Sequence, residues 1–325
     1  MDLRTKLYQM FILGVEGGNL EKALSEGLGG VIFFTKDIKS QSQFKNIVSE
    51  LRSVAKIPPF LSIDQEGGRV ERTENIHNGK KYLSAKFAFE KGEDFLKTQT
   101  EQIAKELVSY GLNLNFAPCI DVNTNPDNPI IGERAFSSKT EDVIKGEKIV
   151  SETYRKNGII PCVKHFPGHG DANADSHLTL PEITLDFKEL EEKHILPFKK
   201  SIENGIEMVM AAHLHVPHFE SESIPTSLSK NALSYLRNEL NFKGVIISDD
   251  MVMKGVACFG LENACETGIR AGLNMFVFRN SDDEIIKMID KLAQKAQNDI
   301  ELKSNIEKSY ELVVKLKKEK EIWKQ

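Results

Sequence analysis

Eight short apolar runs, each about long enough for one strand, recur along this 325-residue chain with helical stretches between them. They are Met10–Val15, Gly30–Phe34, Phe60–Asp64, Leu112–Ala117, Ile159–His165, Met208–His213, Val245–Asp249 and Met275–Phe278. Most are rich in β-branched or aromatic residues and give way to Gly or polar residues, the pattern of parallel strands buried on both faces. Asp94–Tyr110 carries Leu96, Ile103 and Leu107 on one helical stripe, and Lys188–Asn204 and Lys230–Asn241 also read as helices. Strand and helix alternating eight times predict one α/β domain, a (β/α)8 TIM-type barrel over residues 1–325. The runner-up, an open doubly wound sheet, lacks its fingerprint: Gly27–Gly30 precedes a strand instead of following one, and no Walker pattern occurs. Asp282–Gln325 reads as lysine-rich helices packed on the barrel, with Lys315–Lys324 alternating in charge like a solvated face.

Net charge is −5, so neither nucleic acid nor an anionic membrane is an expected partner. Cys119, Cys162, Cys258 and Cys265 form no C-x-x-C pair and read as reduced thiols, at least two of them in apolar runs. The start Met1-Asp2-Leu3-Arg4 lacks a secretory pattern, and no segment nears the roughly 18 apolar residues of a membrane span. The expectation is a cytoplasmic monomer.

In a barrel, chemistry sits at the C-terminal strand ends and the loops after them. The densest such end is Lys164-His165-Phe166-Pro167-Gly168-His169-Gly170-Asp171, followed by Asp175-Ser176-His177. Other ends supply Asp64-Gln65-Glu66-Gly67-Gly68-Arg69 with Arg72, Asp121, Gly132-Glu133-Arg134, His213 with His215, and Ser248-Asp249-Asp250. Cleaving an acetal needs a nucleophile on one side of a carbon and a proton donor on the other. Asp249, held at the end of Val245-Ile246-Ile247, suits the first role, whereas Asp250 reads as the N-cap of the next helix. Asp175 and His177 suit the second: an i, i+2 pair in extended chain lets the carboxylate fix the imidazole tautomer. Arg72, Arg134 and Lys164 are donors for a substrate or partners in ion pairs, and Asp64 either accepts from sugar hydroxyls or pairs with Arg69 or Arg72. Gly168, Gly170, Ala172 and Ala174 suggest that the loop carrying His177 moves.

These segments, in this order, resemble glycoside hydrolase family 3, and within it the single-domain β-N-acetylhexosaminidases. The resemblance rests on Ile63–Val70 with Arg72, Asn115–Pro118 leading to Asp121-Val122, Ile131–Phe136, Lys164–Gly170 with Asp175-Ser176-His177, and Ile247–Met251. It implies a barrel without the second domain that supplies the acid/base in larger members. It also implies Asp249 as nucleophile, His177 as acid/base with Asp175 as its partner, and Asp64, Arg72, Arg134, Lys164 and His165 as sugar-binding positions. The implied reaction needs no cofactor or metal. It releases terminal β-linked N-acetylglucosamine, with retention, from N-acetylglucosaminyl-1,6-anhydro-N-acetylmuramic acid with or without its peptide, in cell-wall recycling. Ala135 stands where the family commonly has Ser, and Asn274 where it has Asp. Three rivals are a β-N-acetylglucosaminide phosphorylase, another family 3 glycosidase and, remotely, a metal-dependent barrel hydrolase built on His165, His169, His177, His213 and His215.

Overall fold

The computed structural model describes residues 1–172 and 180–324. Eight parallel strands close in chain order into a barrel: β1 (Phe11–Glu16), β2 (Gly30–Phe33), β3 (Phe60–Ile63), β4 (Leu114–Asn115), β5 (Ile160–Phe166), β6 (Met208–Ala211), β7 (Val245–Asp250) and β8 (Met275–Asn280). β1 pairs β8 in parallel with Phe11 opposite Phe276, which closes the ring. Every apolar run read from the sequence contributes a strand.

Alternation sorts each strand into two faces. Ile12, Ile32, Phe60, Leu114, Cys162, Met208, Val245 and Met275 pack with one another inside the barrel. Their chain neighbours Leu13, Val31, Leu61, Val163, Val209, Ile246 and Phe276 belong to the shell under the helices. Both faces are therefore apolar, each fully buried large side chain contributing roughly 2 kcal/mol of burial free energy. Three inward stripes end in charge: Phe60, Ser62 and Asp64; Ile160, Cys162 and Lys164; Val245, Ile247 and Asp249. The period that fills the core thus aims these polar groups into one mouth.

The helices differ from expectation in detail. The Lys188–Asn204 helix begins at Phe187 and contains a wider π-turn over Leu190–Ile195 before continuing as Leu196–Glu203. The chain end forms two helices, Asp283–Ala296 and Ile300–Glu319. The second stops the base of the barrel, where Val313 and Leu316 join the interior cluster. Lys317 corrects the reading of this segment as a solvated face. Its ammonium is fully buried, donates to Gln9 Oε1 and the Gly29 carbonyl at 2.8 Å each, and lies 4.9 Å from the Phe60 ring centre. Burial pushes that amine well below its ordinary pKa. No helix among the described residues is long and apolar enough to cross a membrane.

Candidate active site

A cavity of about 540 Å³ opens at the C-terminal end of the barrel. Its floor is the top of the interior layer, Ile32, Phe116, Met210 and Val277. The structure brings Asp64, Arg72, Arg134, Lys164, His165 and Asp249 together around it. Asp175 and His177 lie outside the described residues.

An ion-pair network lines the cavity. Lys164 Nζ, with 2 % of its side chain exposed, meets Asp64 Oδ1 and Glu66 Oε1 at 2.6 Å each. Arg134 donates through Nε and Nη2 to the two oxygens of Glu66, 2.9 Å each, a bidentate fork. Burial alone would push the Glu66 carboxyl up, but Arg134 and Lys164 hold it far below the usual carboxylate range. Burial disfavours the Lys164 ammonium, and Asp64 and Glu66 outweigh it, so the amine stays charged. Asp64 therefore pairs with Lys164, across 100 residues of sequence, and not with Arg69 or Arg72. Glu66 sits in a quoted motif with no role read for it. Only convergence of the loops after β3 and β5 with the short turn Gly132–Arg134 reveals it as the hub.

His165 is fixed from below. Its Nδ1 meets Asp121 Oδ2 at 2.7 Å, and its Nε2 lies 3.4 Å from Arg134 Nη2. A carboxylate accepts and a guanidinium donates, so this network assigns the proton to Nδ1 and leaves the Nε2 lone pair toward Arg134. Asp121 Oδ1 also accepts from the backbone amide of His169 at 2.6 Å, and Oδ2 from the Cys119 thiol at 3.2 Å. Burial pushes His169 down to about 4, so its ring is neutral. The Cys119, Asp121 and His165 ligand atoms lie within 4.8 Å of one another, and these hydrogen bonds already join them. Of the histidines on the loop after β6, His213 Nδ1 faces the Ser227 hydroxyl at 2.7 Å and its Nε2 the Asp250 carbonyl at 3.2 Å. His215 faces Glu182 and the Glu220 carbonyl instead.

Asp249 and Asp250 part company at the end of β7. Asp249 Oδ1 accepts from the Asp250 amide at 2.7 Å. Burial pushes the Asp249 carboxyl up, but His165, His213, that amide and Lys164 together leave it below the ordinary range. Asp250 goes the other way, raised by burial against the pull of Arg279. Asp250 is not a helix cap. Its carboxylate accepts from the Val252 amide at 3.2 Å and pairs with Arg279 on β8, while the following short helix Lys254–Ala257 has Met253 at its cap. A charge partner on the neighbouring strand outcompetes a local cap. Arg72 lies over the Phe34 ring at 5.6 Å, and its buried Nε has no hydrogen-bond partner among the described residues. An unmet buried donor costs about 1–3 kcal/mol, which a ligand oxygen would recover.

The glycines of the stem after β5 have a packing reason. A Cβ on Gly170 would stand 1.8 Å from the Val122 carbonyl oxygen, and one on Gly168, at φ +127°, 2.6 Å from His194 Cβ. Close packing at both positions, with a positive φ at Gly168, requires glycine in each.

A closed parallel barrel with a charged mouth at its C-terminal end is the architecture of a barrel enzyme, with the polar groups on the face where such enzymes work. The chain belongs to glycosyl hydrolase family 3, whose N-terminal domain it matches over residues 2–316. It is 30% identical to the β-hexosaminidase of Haemophilus influenzae over 295 residues, covering 86% of this chain and 82% of that protein. It is also 30% identical to β-hexosaminidase A of Pseudoalteromonas piscicida over 321 residues, covering 89% of this chain but only 54% of that longer protein. Among solved structures, a glycoside hydrolase family 3 β-N-acetylglucosaminidase from Paenibacillus superposes with a TM-score of 0.91 at 28% identity, covering 99% of this chain and 63% of that one.

Proposed function

We propose that this chain is a retaining β-N-acetylhexosaminidase. It releases terminal non-reducing N-acetylglucosamine from peptidoglycan fragments, N-acetylglucosaminyl-1,6-anhydro-N-acetylmuramic acid with or without peptide, during cell-wall recycling in the cytoplasm. The observation that carries the reading is the Asp249 carboxyl, held below its ordinary range at the top of an inward strand stripe, in one cavity with Asp64, Lys164 and His165. The relatives named β-hexosaminidase supply the substrate class.

The Asp249 carboxylate attacks the anomeric carbon as the bond to the leaving oxygen breaks, and protonated His177 gives that oxygen its proton. A glycosyl ester on Asp249 results. Neutral His177 then takes a proton from water, which attacks the anomeric carbon and frees Asp249. Asp175 orients the imidazole. The Asp64–Lys164–Glu66–Arg134 network presents fixed donors and acceptors to sugar hydroxyls without rearrangement, and Arg72 and His165 complete the ring of contacts. The chain acts as a monomer on a small saccharide and needs no cofactor.

Turnover of nitrophenyl β-N-acetylglucosaminide beside the β-glucoside tests this. Preference for the acetamido sugar is expected. Glucoside preference, or turnover of neither, contradicts it.

A further inference from the structure

The cations of the cavity are of two kinds. Lys164 and Arg134 are spent on buried carboxylates in the ion-pair network. Arg279 is not spent in the same way. It leaves β8 at the rim, lines the same cavity, and has 46% of its side chain exposed. Its Nε holds Asp250, and its backbone amide donates to the same carboxylate at 3.3 Å. Neither of its terminal amino groups makes a hydrogen bond to the described residues. Nε therefore anchors the guanidinium and leaves its outer edge, the two terminal amino groups, without a partner among the described residues.

That edge has the geometry that grips a carboxylate with two bonds. Two further arginines, Arg69 and Arg72, line this cavity, and neither meets a carboxylate among the described residues. Among the described residues, the cavity lining carries five cations against four carboxylates, and of the cations Arg69 and Arg72 meet none of those carboxylates. The Lys164 network, where charge is matched, suits a neutral sugar. Arg279 lines the same cavity as Asp249 and Asp250, from the strand beside theirs.

We propose that Arg279 is a specificity-determining residue that favours leaving groups carrying a free carboxylate close to the glycosidic oxygen, so that the peptide-free fragment is preferred over the peptide-bearing one, whose lactyl carboxyl is tied up as an amide. This rests on the β-N-acetylhexosaminidase reading and names the group on the other side of the bond. Asp250 orients the Arg279 fork and belongs to the same device.

The test compares two substrates that differ only in charge: N-acetylglucosaminyl-1,6-anhydro-N-acetylmuramic acid and its lactyl methyl ester. The intact protein should prefer the acid by about tenfold in kcat/KM, the size of one charge-assisted bidentate contact. In Arg279→Gln the preference should collapse toward unity, chiefly through KM for the acid. Arg279→Lys keeps a charge beside Asp250 without the fork and should retain a smaller preference. Three results overturn the assignment: an unchanged acid-to-ester ratio in Arg279→Gln; an equal loss on both substrates in both variants, which would make Arg279 only a brace for Asp250; and N-acetylglucosamine 1-phosphate as product in phosphate buffer, which would mean the rim holds an attacking phosphate. Turnover of neither substrate by the unaltered protein would instead overturn the underlying reading of the activity.

Discussion

The Asp121 carboxylate grips His165 twice, through the ring Nδ1 at 2.7 Å and the backbone amide at 3.2 Å. Burial would raise that carboxyl, but the hydrogen bonds from the His165 ring and the His169 backbone amide hold it far below the usual range, so it remains an anion beside the cavity. It joins the ends of β4 and β5 and fixes which nitrogen of His165 faces Arg134. Asp121→Asn keeps the shape and loses an acceptor. The expected result is a drop of about 100-fold in kcat/KM on a nitrophenyl β-N-acetylglucosaminide, the cost of a side chain displaced by about an ångström. Nitrogen NMR of the His165 ring should show the tautomer altered. An unchanged rate would contradict a positioning role.

Glu66 balances Lys164 and Arg134 with only 4% of its side chain exposed. Glu66→Gln leaves two buried cations with Asp64 as their one remaining carboxylate in this network. Urea unfolding should show a loss of about 3–5 kcal/mol, the penalty for breaking a buried pair by removing one partner. A loss under about 1 kcal/mol would mean that water reaches the network and that it is a surface one.

Glu147 lies almost fully buried in the helix Thr140–Lys156. Burial raises its carboxyl from 4.5 to about 7, against the pull of Ser151, Ser201 and Arg155. The folded state therefore holds a proton that the unfolded chain releases near 4.5. Its contribution to stability is complete below the unfolded value and is lost as pH rises through about 7. Unfolding measured from pH 5 to 8 should show Glu147→Gln gaining on the unaltered protein by up to about 3 kcal/mol. A pH-independent difference would contradict this.

Asn274 is a buried amide just before β8. Its Oδ1 accepts from the Ile246 amide at 2.8 Å and from Arg237, which also donates to the carbonyls of Phe242 and Gly244. Arg237 meets no carboxylate among the described residues, and burial brings its pKa down to about 10. Asn274→Asp should convert a neutral acceptor into a charged one and add about 1–2 kcal/mol, raising the melting temperature by about 3 °C. A lower melting temperature would mean that burying the new carboxylate, and losing the Nδ2 donor to Ser309, outweighs the pair.

The barrel is legible because strands buried on both faces leave continuous apolar runs, and the charged residues that end three of the inward stripes mark the mouth. Less legible was anything decided by approach of distant segments. Leu112–Ala117 reads as a strand, and its backbone hydrogen-bonds to β3 and β5 from Asn113 to Ala117; the side chains of Asn113 and Asn115, which also bond the backbone of β3 and the loop after it, give no such sign in the sequence. Lys317 sits in a charge-rich helix and is nonetheless buried, because the helix plugs the barrel base through that face. Asp250 carries the local signature of a cap and finds Arg279, 29 residues on. Asp64 and Lys164, 100 residues apart, are neighbours only once the ring closes.

The central claim is that Asp249, and not Asp250, forms the bond to sugar. Incubation with a mechanism-based 5-fluoro-N-acetylglucosaminyl fluoride, followed by proteolysis and mass spectrometry, tests it most directly. One fluorosugar is expected, attached as an ester to Asp249, and none in Asp249→Ala. A label on Asp250, or inactivation of Asp249→Ala at the rate of the unaltered protein, would contradict it.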